Sequence, residues 1–475
     1  MKHTLTVLGL GLTLALTGCF AKIHHLPAHL DKTTPVFAPL PDQDILVGLA
    51  VSGGGSRAAT FAAGTLEALA NIRVMDGGRE RSVLETITHM SSVSGGSLAT
   101  AYYAVKKPGK SEAVLAAQGL SPAYQQFFAS FKEDMRKNFQ LRAFGRQLMN
   151  FRVANPTKFA YSFADVWDAD FFDGITLSGL YERERQGDAP QIIFNGTIYN
   201  TGRRLALTTL PPSDFAYDFT NELRAKLVAK GQQFTPEGRA SFDRSLQRAK
   251  NQFLPQTFED IGIDHRQLPV SLAVVTSASF PPVVGPVTYQ STGTPAYTHV
   301  GDGGLFDNLG TESLTTLFLN KLNPNRPAAK KGLIIVIDAS FPFDEGSAEL
   351  DEKDKGFDVF AEDPSRIVGI MEERANAYQA MLWHSLRAES ALLPDYDHLK
   401  LIILRHTEAE WTTADPIPAA CSQNLSVEEI KRTVRQIPTL FKIEDPCHGA
   451  LLIAAAHKVV HKQRQRIVDF LQQHP

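Results

Sequence analysis

From Ile45 to Val51 the chain reads ILVGLAV, seven positions without a polar side chain. A run that short and that apolar is a strand buried on both faces. It empties into Ser52-Gly53-Gly54-Gly55-Ser56-Arg57, and residues 58–70 then place Phe61, Leu66 and Leu69 on one face of a helix. A second apolar stretch over 87–90 predicts the next strand, so the chain opens as a βαβ unit. Residues 191–197 and 205–209 predict two strands around the turn Asn200-Thr201-Gly202. Further strands are expected over 270–275, 333–337 and 401–404. Long amphipathic, aromatic-rich segments between 104 and 185 predict a helical insertion, and 214–258 a second, charged one. Helices are also expected over 364–389 and 450–472, and Ser426-Val427-Glu428-Glu429 is a capping box that opens another. Alternating apolar strands and helices without an internal repeat give an α/β class with a mostly parallel central sheet.

Composition narrows this picture. The 475 residues are 43% hydrophobic and 21% charged, as in a core-forming chain. A net charge of −3 argues against a nucleic-acid binder, which carries a clear basic excess. No run beyond the N-terminus is long and apolar enough to span a bilayer. The N-terminus itself has Lys2 followed by an uncharged, leucine-rich stretch over 7–16, too short for a span and ordered like a signal peptide. It ends in Leu16-Thr17-Gly18-Cys19, which resembles the bacterial lipobox. The expectation is that 1–18 is removed, that Cys19 carries lipid chains (palmitate among them), and that these anchor the protein without a transmembrane helix. Phe20 and Ala21 after Cys19, where no aspartate stands, favour outer-membrane sorting in a Gram-negative envelope. Proline-rich 19–43 reads as a tether, leaving 44–475 as the folded body with a helical C-terminal part. Two further cysteines in an exported chain, Cys421 and Cys447, form a candidate disulfide.

Chemistry concentrates at three places. Ser94, in Met90-Ser91-Ser92-Val93-Ser94-Gly95-Gly96-Ser97-Leu98, sits between a predicted strand and a helix, as a nucleophile elbow does. The usual G-x-S-x-G has Ser92 in place of its first glycine, and restoring glycine there is expected to be tolerated. Gly53, Gly54 and Gly55 precede a helix, where backbone amides bind an anion. Donors of that kind are each worth on the order of 10²–10³ in rate. The same loop, read as Gly53-x-Gly55-x-x-Ala58 with Asp76 downstream, also fits a loose dinucleotide fingerprint. A serine nucleophile needs a base. Asp302, within Gly301-Asp302-Gly303-Gly304, is one candidate; Asp338 with His406, both after predicted strands, is the other. Spacing alone leaves the two open.

Taken together the motifs resemble the patatin-like phospholipases. Gly53-Gly54-Gly55-Ser56-Arg57 is similar to that family's G-G-G-x-[RK], Ser92-Val93-Ser94-Gly95-Gly96 to its G-x-S-x-G, and Asp302-Gly303-Gly304 to its D-G-[GA], in the family's order. Ala278-Ser279-Phe280-Pro281 resembles its Ala/Ser/Pro-rich stretch. The resemblance, covering about 45–338, implies a three-layer α/β/α fold and hydrolysis of lipid acyl esters by a Ser94–Asp302 dyad without histidine. It also implies an oxyanion hole from Gly53, Gly54 and Gly55 supported by Arg57, and neither metal nor cofactor. Membrane lipids are then both substrate and anchor. Neutral glycerides, short esters or acyl transfer are alternatives for the same dyad, and an inert envelope binding protein is a further one. Three lesser features are read as structural: His24-His25 in the tether, the sequon Asn195-Gly196-Thr197, and the aromatics over 127–172, which are assigned to helical core ahead of an acyl pocket or a membrane contact.

Overall fold

The computed structural model describes residues 22–472, apart from 32, 77, 151, 153–157, 218–234, 282–283, 324–326, 342–372, 376 and 378–397. The signal segment, Cys19 and nearly all of the helix expected over 364–389 lie outside the described residues.

In chain order the first half contains β1 (Ile23–Leu26), β2 (Ile45–Val51), α1 (Gly55–Ala70), β3 (Arg73–Asp76), β4 (Arg79–Ser82), β5 (His89–Ser92) and α2 (Gly95–Lys106). The helical insertion follows as α3 (Pro122–Asp134), α4 (Phe139–Met149), α5 (Phe159–Trp167) and α6 (Leu177–Gln186). Then come β6 (Gln191–Ile198), β7 (Arg203–Thr208), α7 (Pro236–Phe253), β8 (Gln256–Thr257), α8 (Val270–Ser277), β9 (Val287–Ser291) and β10 (Tyr297–Asp302). The last elements are α9 (Thr311–Lys321), β11 (Lys331–Asp338), β12 (Leu399–Arg405), α10 (Val427–Gln436) and α11 (Pro446–Gln472).

One sheet runs β1-β9-β10-β6-β5-β2-β11-β12, with β7 and β8 beyond β6. The pairs β6–β5, β5–β2, β2–β11 and β11–β12 are parallel. Side chains alternate across the sheet. Leu49, Val51, Leu333, Ile335 and Ile337 pack with Phe61 and Leu66 of α1 on one face. Leu46, Ala50, Ile334 and Val336 pack with Leu314, Leu317 and Phe318 of α9 on the other. Helix α11 closes against α1 so tightly that a Cβ on Gly64 would stand 3.0 Å from the Ala456 Cβ. The result is a three-layer α/β/α fold in which β2 and the middle of β11 are apolar because both faces are covered.

Two expectations are corrected. Residues 270–275, whose apolar run predicts a strand, form the helix α8, buried at every position. An apolar run buried on all sides carries no periodicity to separate strand from helix. The stretch 19–43 is not all tether: β1 pairs in parallel with β9 at the sheet edge, and Phe37 is buried against Tyr181 and His265. Edge pairing needs only backbone groups, so it left no mark in side-chain pattern.

Candidate active site

Strand β6 explains how residues 208 positions apart meet. Its Ile193 and Phe194 pair with β7 on one edge and with Ser91 and Ser92 of β5 on the other. Gly196 and Thr197 likewise pair with β7 and, on the opposite edge, with Asp302 and Gly301 of β10. Thus β5 and β10 approach end to end along the same edge of β6. Ser92 lies level with residue 194 and Asp302 with residue 196, about 7 Å apart along the strand. The end of α8 fastens both: Ser94 N donates to Ser277 O (3.1 Å), and Asp302 N to Ser279 O (3.0 Å).

Ser94 has φ 53° and ψ −121°, a strained conformation for a residue with a side chain, and it opens α2. Such a turn survives only if its surroundings over-determine it, and here a buried polar network does so. The Ser277 hydroxyl accepts from Ser94 N (3.2 Å) and donates to Asn195 O (2.6 Å). Ser97 Oγ lies 2.9 Å from Ser277 Oγ and 3.1 Å from Ser92 Oγ, and Ser92 Oγ lies 2.8 Å from Thr100 Oγ1. Asn195 donates to Ser91 Oγ and to Ser92 O and accepts from Ser313. Ser92, the departure from the usual elbow, therefore supplies a hydroxyl to this network. Asn195, fully buried, is its hub, which gives the sequon the structural role expected of it.

Asp302 is buried. Its Oδ1 accepts from Gly304 N at 2.7 Å, while Oδ2 is enclosed without a well-formed hydrogen bond among the described residues. Burial pushes the carboxyl pKa up to about 7; the Gly304 amide and the Ser94 hydroxyl pull against that rise. A carboxylate in that range is matched to proton transfer near neutrality.

The glycine loop lies directly on the elbow. A Cβ on Gly95 would stand 1.9 Å from Gly55 O, so only glycine permits the approach. One expected donor is corrected: Gly53 N donates to Asn308 O (2.9 Å) and is committed to holding the loop against the turn after Asp302. The amides of Gly54, at φ 135°, and Gly55, at φ 58°, make no hydrogen bond among the described residues. They are the open donors at the N-terminus of α1. Arg57 is buried and does not face out as an electrostatic guide: Nε donates to Ala339 O (2.8 Å) and Nη1 to Ile437 O (2.6 Å). The Ser56 amide donates to Leu440 O at 2.7 Å, and a Cβ on Gly55 would meet that same carbonyl at 2.4 Å. A strap over residues 437–443 thus roofs the loop. Cys421 and Cys447, joined by a disulfide, bracket it.

The competing readings fare differently. His406 Nδ1 donates to the Asp338 backbone carbonyl (3.3 Å), and the Asp338 carboxylate is held by Arg405 Nε at 2.8 Å. Burial first, then the Arg57 charge, lowers the His406 pKa to about 4. His406 follows β12, three strands from β5, about 14 Å away at ordinary strand spacing. The structure does not bring it to Ser94. Asp76 ends β3, whose partner is β4 in a separate two-stranded sheet; it does not lie beside β2, as a ribose-binding carboxylate would. A cavity of about 770 Å³, lined by Val47, His89, Lys107 and Gln191, opens at the opposite end of the central strands and takes no part in the site.

A family model, "Patatin-like phospholipase", matches residues 49–315, more than half of the chain. The chain belongs to the patatin-like phospholipase family. The matched span holds the glycine loop, Ser94 and Asp302 but stops before the strap. Similar solved structures include human GIVD cytosolic phospholipase A2, at 12% identity and TM-score 0.47 over 90% of this chain and 60% of that one. The same human protein in complex with methyl gamma-linolenyl fluorophosphonate is 14% identical, with TM-score 0.41, over 90% and 59%. VipD from Legionella pneumophila is 12% identical, with TM-score 0.30, over 95% and 71%. The chain therefore spans about three-fifths of the human protein's structure. No curated protein matches its sequence.

Sequence reasoning missed Asn195, Ser277, Asn308 and Leu440 as supports of the site. Ser277 stood in the small-residue stretch before Phe280, a weak signal. The Leu440 carbonyl acts through backbone alone and had none.

Proposed function

We propose that this chain hydrolyses acyl esters of membrane lipids, phospholipid or lysophospholipid, through a Ser94–Asp302 dyad. The observation that carries the reading is the strained Ser94 beside a buried carboxyl whose pKa burial raises to about 7, with the Ser94 hydroxyl pulling against that rise. In the first step the Ser94 proton passes to Asp302 as Oγ bonds to the acyl carbon. The carbonyl oxygen takes the negative charge, facing the Gly54 and Gly55 amides. Collapse breaks the ester C–O bond, and the proton on Asp302 goes to the departing alkoxide. Water then gives its proton to Asp302 and its oxygen to the acyl carbon. Release of the fatty acid returns the proton to Ser94.

A fluorophosphonate probe should label the wild type and not Ser94→Ala. Labelling that survives the substitution, or none in the wild type, would move the inert binding-protein reading ahead. Asp302→Asn should abolish p-nitrophenyl ester hydrolysis while His406→Ala leaves it intact; the reverse pattern overturns the dyad. The lipobox supports an envelope location with Cys19 as lipid anchor, and incorporation of a palmitate analogue lost in Cys19→Ser checks it.

A further inference from the structure

Helix α4 is amphipathic the wrong way round. It buries Phe139, Ala143 and the polar Gln147, whose side chain donates to Arg152 O (2.7 Å) and accepts from Ser162 Oγ (2.7 Å). It exposes Leu141 (67%), Phe144 (55%), Leu148 (59%) and Met149 (71%). Positions 141, 144 and 148 follow helical spacing and make a single stripe about 10 Å long with 149 beside it. Among the described residues only ten large hydrophobic side chains are exposed, and four of them are on this one helix. A contiguous apolar stripe on a surface marks an interaction site, whereas scattered exposed leucines do not.

The position of the stripe says what covers it. Phe139 N, at the start of α4, donates to Phe441 O (2.9 Å). Phe441 is next in the chain to Leu440, whose carbonyl holds the glycine loop. The helix therefore starts beside the strap that holds the glycine loop of the candidate site. Phe341, half-exposed over the Arg57 guanidinium, lies by that loop too. Arg142, paired with Asp170, and Arg146, which makes no ion pair among the described residues, interleave with the apolar positions. Leucine and phenylalanine on one face with arginines along its flank is the composition of a helix that lies in a lipid interface. An enzyme whose substrate is part of a bilayer must draw it from that same surface.

We infer that α4 is a membrane-docking helix, which seats Leu141, Phe144, Leu148 and Met149 among the acyl chains of an anionic bilayer and brings the mouth of the Ser94 site to the lipid surface. The inference rests on the proposed lipid acyl hydrolysis for its substrate, but it is tested apart from it.

The full chain is assayed on phosphatidylcholine–phosphatidylglycerol vesicles and on monomeric p-nitrophenyl butyrate, as wild type and as the double variant Phe144→Asp, Leu148→Asp. Turnover of vesicle lipid should fall on the order of tenfold or more, with the monomeric ester rate unchanged. Independently, a tryptophan placed by Phe144→Trp should be quenched by brominated lipid in the vesicles beyond any quenching of the wild type. Unchanged vesicle turnover in the double variant, or no quenching at position 144, overturns the docking role. So does sedimentation that shows these substitutions splitting a dimer, because a second copy would then cover the face. Should the wild type hydrolyse neither substrate, the acyl-hydrolase reading falls, and quenching alone decides the docking.

Discussion

The strained turn at Ser94 and the glycine loop touch, yet they are held by different parts of the chain. Ser94 is secured from within the family-matched span: Ser277, Asn195, Ser97 and Ser92 form a hydroxyl and amide network behind it. The loop at Gly54 and Gly55 is secured largely from outside that span, by Ala339, Ile437 and Leu440. The Ser94 turn thus depends on side-chain chemistry, and the loop on backbone carbonyls delivered by the C-terminal part. Substitution should disturb the first and strap loosening the second, with distinguishable signatures.

The contact shared by the two regions is the most sensitive point. Gly95→Ala drives a methyl group into Gly55 O; nearly complete loss of esterase activity is expected, with destabilisation on the order of several kcal/mol in urea unfolding. Opening the strap comes next. Cys421→Ser, or reduction of the bridge, frees a segment closed by a 26-residue separation. Unfolding stability should drop about 2–4 kcal/mol. Single-turnover acylation should slow on the order of tenfold or more as the Gly54 and Gly55 donors lose their alignment, with Ser94 still labelled by fluorophosphonate. Equal loss of labelling and acylation would show that the two regions are not separately held.

The pH profile probes the elbow side. Because burial raises the Asp302 pKa to about 7, kcat/KM should rise with pH through that value as the base loses its proton. The linkage has the opposite sign for stability. The folded carboxyl holds its proton more tightly than the unfolded one, so its contribution is complete below the ordinary carboxyl pKa of about 4 and is lost as pH climbs through about 7. Asp302→Asn should accordingly be more stable than wild type above neutrality, and a thermal-melt series across pH 5–9, roughly bracketing that value, reads this out. The smallest effect belongs to Ser92→Gly. It removes a hydroxyl that Ser97 and Thr100 contact, so the restored motif should cost about 1 kcal/mol and leave the rate within a few-fold.

Much of the fold was legible because two central strands are buried on both faces and read as apolar runs: Ile45–Val51 and residues 333–337 of β11 needed no context. The helical insertion and the hairpin of β6 and β7 were legible for the same reason of pattern. Residues 270–277 were not, since complete burial erases periodicity. Nor was β1, whose sheet-edge pairing is made by backbone alone. Of the aromatics over 127–172, Phe127, Phe128, Phe131 and Phe139 are core, as their spacing suggested, but Phe144 is exposed. Spacing marks a stripe without saying which way the helix turns it.

The sequence by itself determined the chemistry on offer. A serine between strand and helix, a glycine loop at a helix start and a Gly-flanked aspartate are local patterns, because turn geometry and amide exposure are set by neighbours in the chain. Only the tertiary structure decided which partners meet. That β5 and β10 share one edge of β6, that Gly53 is committed to Asn308 and that Leu440 supports the loop all follow from strand order and backbone hydrogen bonds. Those contacts join residues far apart in the chain through groups that every residue carries. A backbone amide or carbonyl has the same identity at each position, so nothing in the order of side chains announces where it will be used.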